Sequence, residues 1–507
     1  MKGNLAILSA LLLALWGGSA AADDSIEVKH PTIATSTVAL VSAEAGAEEA
    51  PSPVEETAGK PPVYALTAEE AIALALANSY DLQVAQQQAK SAYYEYVKYA
   101  GMAGLSIDLS GGINRAGPIV GFTTGPNTEE VTFQKDTTTS LGAQATYPIA
   151  PAGNLGYGKR AAWAGYQAAK AGAEAERAEV ITAAFKAYIT CLTAQNGVEV
   201  AEEGLALAEE QLRNAQLKYE QGMVARFQVM QAQVEVSSAK EELIKARNGL
   251  DLARSSLYLT LGVVPEDYFS GMEVQVAYAE KLDRAVALLG DKVLPRLNPD
   301  DLAAAYTEKT PQFRSLENMV SVYDYQMRGY RRAPQFSLTA GYRQQTGNSF
   351  QKRYSWSFGI NGILNLWDSG KTAGTQKSFA AQADAARVQL AQYRQAFRLS
   401  LADAVSSLEA AVQGHTTAQD TLAAAEEALR MARLGYREGI VTNADLVGAR
   451  TAYLGARLNE FDKRMAIVER YQELLAALGI GDEEMYLPTT QTDLRRIVNE
   501  VIPDESV

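Results

Sequence analysis

The stretch YSWSFGINGILNLWDSGK, residues 354–371, changes period within a single line of sequence. Tyr354, Trp356, Phe358, Ile360 and Leu364 alternate with Ser355, Ser357, Gly359 and Asn361, which is a strand with one apolar and one small polar face. After Gly370 the chain turns Ala-rich and helical for some 65 residues, on the order of 100 Å of helix. A helix of that length has no place in an ordinary globular domain.

Three more segments carry the same alternation. Leu105, Ile107, Leu109 and Ile113 interleave with Ser106, Asp108, Ser110, Gly112 and Asn114; Leu141, Ala143, Ala145 and Tyr147 with Ser140, Gly142, Gln144 and Thr146; Phe336, Leu338, Ala340 and Tyr342 with Ser337, Thr339, Gly341 and Arg343. Four strands of about ten residues have the length that a tilted barrel strand needs to cross a bilayer. Their polar faces are uncharged apart from Asp108 and Arg343, which become candidates for a barrel lumen. A soluble antiparallel sheet with one wet face shows the same periodicity, so both readings stand at this level. Tyr342, Tyr354, Trp356, Phe358 and Trp367 are suited to an interfacial belt, or to ordinary outward-facing strand positions in a soluble sheet.

The chain is written twice. Leu66–Leu105 aligns with Leu297–Phe336 at an offset of 231, and Ser140–Gly262 aligns with Ser357–Gly479 without a gap at an offset of 217. The second match pairs Gly153 with Gly370, Tyr219-x-x-Gly222 with Tyr436-x-x-Gly439, Ala232 with Ala449, and Leu261-Gly262 with Leu478-Gly479. Each half opens with helix start signals: Thr67 with Glu70 three residues on, and Asn298-Pro299-Asp300-Asp301. These helices are expected to run to about Tyr99 and Tyr330. The organisation read from this is a first repeat over 63–262, a connection over 263–296 and a second repeat over 297–480.

Both long helices end in an apolar period of 3.5 residues. Val198, Ala201, Leu205, Ala208, Leu212, Ala215 and Tyr219 correspond to His415, Ala418, Leu422, Ala425, Leu429, Ala432 and Tyr436. The returning helix continues through Val229, Ala232, Val236, Ala239, Leu243, Ala246, Leu250, Ala253 and Leu257, so each half contains a coiled-coil hairpin. His415 replaces Val198 of the other copy and is read as a seam residue. Four strands cannot close a barrel alone, and open edges have no partner in lipid; strands that cross a membrane therefore require several chains in one barrel.

Composition narrows the function. Among 507 residues, Lys and Arg number 46, Asp and Glu 60, with two His (His30 and His415) and one Cys (Cys191). That disfavours a metal centre or a catalytic triad, and a net charge of −14 disfavours a nucleic-acid partner. No pocket-forming pattern surrounds an acid pair, so the expectation is no enzyme, no cofactor and no metal. Residues 1–22 read as a secretory signal, with Lys2, an apolar core from Leu5 to Trp16 and a small-residue end at Ala20-Ala21-Ala22. Residues 23–62 read as a disordered acidic linker and 481–507 as an acidic C-terminal tail. No apolar run spans a bilayer as a helix, so any crossing uses strands.

The signal, the duplicated strand pair and helical hairpin, and the paired motifs Tyr219-Glu-Gln-Gly222-Met-Val and Tyr436-Arg-Glu-Gly439-Ile-Val together resemble the TolC-type outer-membrane efflux proteins. Val229-Met-Gln-Ala232-Gln and Leu446-Val-Gly-Ala449-Arg fit the same pattern, and the resemblance covers about residues 63–480.

The resemblance implies a mainly α chain with a transmembrane β part. It implies a homotrimer in which each chain gives four strands to one 12-stranded barrel, standing on an α-helical periplasmic tunnel. It further implies a passive exit duct of a tripartite efflux or type I secretion system, placed in outer-membrane lipid and joined through a periplasmic adaptor to an inner-membrane pump. Tyr219, Gly222, Tyr436 and Gly439 are then adaptor-docking helix tips, although a Gly there also simply ends a helix at positive φ. Asp445, six residues after Gly439, is a periplasmic gate candidate; an acid in the first turn of a helix capped by Thr442 or Asn443 explains it equally. The second acid of the family pattern is Gly448 here, and the first-half equivalent of Asp445 is Gln228. A different class, a secreted structural or adhesive coiled-coil protein with a soluble β head, is distinguished by having no need of bilayer-length strands.

Overall fold

The computed structural model describes residues 63–115, 121–122, 131–132, 134–149, 154–269, 273–278, 282–283, 286–287, 289–290, 294, 297–348 and 354–479. The expected signal segment, linker, acidic tail and Gly153 lie outside these residues, as does part of the 263–296 connection.

The order of elements repeats. The first half runs β1 (Val63–Leu66), α1 (Ala68–Asn78), α2 (Tyr80–Met102), β2 (Ser106–Arg115), β3 (Gly121–Phe122), β4 (Val131–Thr132), β5 (Gln134–Ile149), α3 (Asn154–Glu220), α4 (Arg226–Leu261), α5 (Pro265–Tyr268) and β6 (Glu273–Val276). The second runs α6 (Pro299–Tyr306), α7 (Pro311–Gly329), β7 (Gln335–Asn348), β8 (Tyr354–Ile363), α8 (Lys371–Arg437) and α9 (Asn443–Ala477). Helices α3 and α8 are both 67 residues long, about 100 Å each.

The helix starts follow the sequence, but the expected single opening helices are each broken in two. Thr67 and Glu70 close a capping box at 3.0 and 3.3 Å. Ser79 then leaves the helix and its hydroxyl accepts from Leu82 N at 3.2 Å, starting α2 afresh. In the second half Asn298 caps α6, and Thr310 takes an extended conformation before Pro311, which occupies the first position of α7. The inner strands also exceed ten residues: β5 has 16 and β7 has 14, against ten for β2 and β8.

The strands form one antiparallel sheet in the order β2-β5-β7-β8. Its register aligns Leu109 with Ala143, Tyr342 and Trp356 in one row, and Ile107 with Ala145, Ala340 and Phe358 in another. These rows put the large side chains on one face, where Leu109 is 76% and Trp356 78% exposed. The alternate row, Asp108, Gln144, Gly341 and Ser357, makes the polar face. Both outer strands, β2 and β8, have a free edge among the described residues.

Below the sheet, α3 packs against α2, α7, α4 and α9, and α8 against α9 and α7. Small residues permit the close approach. Ala161, Ala164, Ala168, Ala171 and Ala175 are all buried along α3 at spacings of three and four. Along α4 the buried Val236, Leu243, Leu250 and Leu257 recur every seventh residue, each contributing roughly 1.5–3 kcal/mol of burial. The main core lies midway along α3 and α8 and at the C-terminal ends of α4 and α9, where Phe185 and Tyr188 of α3, Leu257 and Leu261 of α4, Leu401 and Leu408 of α8 and Met465 and Tyr471 of α9 meet α1, α6 and the parallel pair β1–β6. Tyr188 Oη donates to the Ala277 carbonyl at 2.5 Å, which ties the connection to this core.

Candidate functional site

The Tyr-x-x-Gly motifs form the ends of the two long helices. Met223 N donates to Lys218 O and Gly222 N to Tyr219 O, both at 2.9 Å; Ile440 N donates to Gly435 O at 2.8 Å and Gly439 N to Tyr436 O at 3.3 Å. This crossed pair of bonds is the Schellman arrangement, which requires a left-handed residue. Gly222 has φ 74° and Gly439 φ 77°. The tyrosine of each motif thus supplies an accepting carbonyl, while the side chains at the turn, Met223, Phe227 and Ile440, stay exposed.

The two tips differ beyond the turn. Helix α9 begins with a capping box: Thr442 Oγ1 accepts from Asp445 N at 3.2 Å, and Asp445 Oδ2 accepts from Thr442 N at 3.2 Å and Thr442 Oγ1 at 2.6 Å. Asp445 is therefore a helix-capping side chain, exposed at the tip. Its counterpart Gln228 has no such role, because Ala225 starts α4 without a side-chain cap.

Behind the tip a polar chain crosses the two repeats. Gln211 Nε2 of α3 donates to Asn443 Oδ1 at 2.7 Å, Asn443 Nδ2 donates to Glu235 Oε1 of α4 at 3.1 Å, and Arg450 of α9 lies 3.7 Å from Glu235 Oε2. Burial lowers the Arg450 pKa while Glu235 raises it. The chain borders a cavity of about 260 Å³ lined by Asn214, Arg433, Tyr436, Arg437 and Arg450 among others. Farther along, Arg457 and Tyr453 of α9 both hold Glu203 of α3. Sequence reasoning missed these residues. Their signal is the mismatch between copies: Gln211 and Glu235 are Ala428 and Ala452 in the other repeat, and Asn443 and Arg450 are Arg226 and Gln233.

His415 is buried on α8 against α9, its Nδ1 3.7 Å from Glu460 Oε1. Glu460 also faces Arg464 at 3.6 Å, and Arg464 reaches Asp283 at 3.0 Å. Desolvation pulls the His415 pKa down, Glu460 and Asp283 pull it up, and Arg464 lowers it further. Asp108 and Arg343 share the polar face of the sheet, but β5 separates their strands and their rows lie two residues apart, since Asp108 faces Gln144 and Arg343 faces Gly142. Among the described residues no cluster of three or more His, Cys, Asp or Glu is placed to hold a metal, and no helix is long and apolar enough to cross a membrane.

Comparison with known proteins matches the family described as outer membrane efflux protein over residues 71–263 and 311–480. No curated protein sequence matches. Among solved structures, the CusC channel is similar with a TM-score of 0.68 at 19% identity, over 81% of this chain and 91% of that one. The CmeC outer membrane channel of Campylobacter jejuni gives 0.67 at 18% identity, over 86% and 89%. The MtrE outer membrane channel of Neisseria gonorrhoeae, solved in its open state, gives 0.63 at 18% identity, over 82% and 89%. At these identities the likeness is one of fold.

Proposed function

The chain belongs to the outer membrane efflux protein family, and from that premise we propose that it is the outer-membrane exit duct of a tripartite efflux or type I secretion system. It conducts substrates passively and does no chemistry of its own. Three copies would join their four-stranded sheets into one barrel, with the paired helices forming a periplasmic tunnel. A periplasmic adaptor and, through it, an inner-membrane pump would supply the cargo.

The observation that carries this reading is the sheet. Its rows of large apolar side chains are exposed on one face, its other face is polar, and each edge strand has its outer edge unpaired among the described residues. A sheet like that is costly in water as a monomer and well matched to lipid when its edges close on neighbouring copies. A soluble β head on a coiled-coil stalk has no use for such a face.

The site roles extend this proposal. Asp108 and Arg343 would line the lumen. Gly222 and Gly439, with Tyr219 and Tyr436, would form the tips that meet the adaptor, supported by the exposed Met223, Phe227 and Ile440 beside them. Asp445, three times repeated around a narrow mouth, would gate by attracting cations, a role compatible with its capping bonds because one carboxylate oxygen carries them all. Planar-bilayer recording of the detergent-purified trimer tests the duct: stepwise conductance is expected, and a protein that extracts into buffer without detergent and stays silent sinks the proposal.

A further inference from the structure

The sheet register brings all four strand–helix junctions to one end of the sheet, with β5, β7 and β8 running three to four residues past the first residue of β2. Ser106, Thr146, Thr339 and Gly359 fall in one row, and from it the chain passes to the end of α2, the start of α3, the end of α7 and the start of α8. Close approaches fix the helices at that height: a side chain on Gly158 would meet the Tyr99 ring at 3.0 Å, and one on Gly329 would meet Tyr157 at 3.3 Å.

Charge is concentrated there. Residues 95–105, 154–163, 325–335 and 363–380 carry eight Lys or Arg against two acids, in a chain whose formal net charge is −14. Both acids are engaged, Glu95 with Lys98 at 3.1 Å and Asp368 with Arg332 at 2.9 Å. Lys159, Arg160, Arg328, Arg331, Lys371 and Lys377 are exposed and have no ion pair among the described residues. Lys371 is even the first residue of α8, where the helix dipole disfavours a cation. No carboxylate among the described residues pairs with these six to offset their mutual repulsion.

Aromatic side chains are interleaved with these cations. Lys159 Nζ lies 5.7 Å from the centre of the Tyr96 ring, and Arg160 lies 5.7 Å from that of Tyr157. Tyr96 stacks edge-on against Trp163 at 5.0 Å, and Trp163, 45% exposed, continues to Tyr166. Beside the other junction Trp367 is 81% exposed, directly after the apolar face of β8. Apolar strand rows, then aromatics, then unpaired cations is the sequence of environments from hydrocarbon through the interface to headgroups.

We propose that this belt seats on the phosphate headgroups of anionic phospholipid in the leaflet at the base of the barrel. The inference rests on the outer-membrane reading and adds the lipid class that the barrel base selects. Each Lys or Arg brought to an anionic surface gains attraction that salt screens.

Tryptophan quenching tests it on the full chain, reconstituted into vesicles of equal phosphatidylglycerol and phosphatidylcholine in which one lipid or the other carries bromine near the headgroup end of its chains. With Trp356, which is exposed on the apolar face of β8, replaced by Phe in every sample, Trp163 and Trp367 report the lipid beside the belt. Phosphatidylglycerol is expected to be enriched by at least about fivefold, the factor for one cation at such a surface, and the enrichment to fall with added salt. Lys159→Gln, Arg160→Gln, Arg331→Gln and Lys371→Gln together, which leave Arg328 and Lys377 in place, should cut that enrichment at least about fivefold. Lys90→Gln, Arg213→Gln, Lys240→Gln and Lys463→Gln, which remove as many cations from the helices below, should change nothing. No enrichment in the unmodified chain, or enrichment that the belt variant leaves undiminished, overturns the proposal. So does a belt variant that shifts the channel's ion selectivity and leaves the lipid ratio untouched, which would place the cations in the lumen against anionic cargo. A chain that neither brominated lipid quenches has not inserted, and that result strikes the outer-membrane reading instead.

Discussion

Lys218 Nζ lies 4.4 Å from the centroid of the Tyr436 ring, so the last turn of the first long helix is clasped to the last turn of the second. The repeat makes Tyr219 the counterpart of Tyr436, yet Tyr219 is 46% exposed. Two positions with one motif therefore have different mechanical roles: one tyrosine joins the tips and the other presents itself outward.

Replacing Tyr436 by Ala should loosen the tips by about 0.5–1 kcal/mol, the worth of an exposed cation–π contact. Tyr219→Ala should cost less. Amide hydrogen exchange over 214–222 and 431–439 measures both, with faster exchange expected in both segments for the first variant. Tyr436→Phe should keep the wild-type rates, because the ring rather than the hydroxyl is what Lys218 faces.

Gly222→Ala and Gly439→Ala each force a side chain into left-handed backbone at a cost of roughly 1–2 kcal/mol. Neither would create a clash, since no heavy atom lies within 4 Å of the added carbon. The expected result is local: earlier proteolytic nicking at the mutated tip with little change in the melting of the helical core. Gly435 is different, because a side chain there would run into a Cγ carbon of Val441. Gly435→Ala should therefore disturb the second tip more than Gly439→Ala does.

Asp445 carries two separable expectations. Asp445→Ala removes the carboxylate half of the capping box of α9, leaving Thr442 Oγ1 to accept from the amide of residue 445, and should cost about 0.3–1.5 kcal/mol, read from exchange in the first turn of that helix. Asp445→Asn keeps an accepting oxygen and loses the charge. If the carboxylates ring the mouth, trivalent-cation block of the conductance weakens in this variant; an unchanged block returns Asp445 to capping alone.

Acid should loosen the His415 site. Its folded pKa lies below the ordinary value of 6.5, so the unfolded chain binds the proton more readily. The contribution of the neutral ring is complete above about pH 6.5 and is lost as pH falls through the folded pKa. Thermal melting of the detergent-solubilised protein followed from about pH 7.5 to 5 should decline, and His415→Val, which restores the residue found at the matching place of the first repeat, should flatten that part of the decline.

Much of this fold is legible residue by residue. The alternation in 354–364, the helix start at Thr67 and the glycines that close the tips express constraints that act over a few residues: the two-residue repeat of a strand, the unpaired amides of a first turn and the chirality that bars most side chains from positive φ. The internal repeat carries such local signals to the whole chain. The same reading overlooked the breaks at Ser79 and Thr310, because a helix that pauses for one residue, or for the four of 307–310, close to one helical turn, and then restarts nearly keeps its apolar period. It also left the role of Asp445 open between gate and cap, although Thr442 three residues earlier already offered the box.

The sequence by itself determined the duplicated order of strands and helices, the long hairpins and the turn at each tip, since each depends on periods and caps within short reach. Only the tertiary structure decided the sheet order β2-β5-β7-β8, the clasp of Lys218 on Tyr436 and the polar chain from Gln211 through Asn443 and Glu235 to Arg450. Those depend on how far one helix slides past another more than 200 positions away, and packing of whole elements sets that slide. The two copies answer it differently, which is why one motif, written twice, does two jobs.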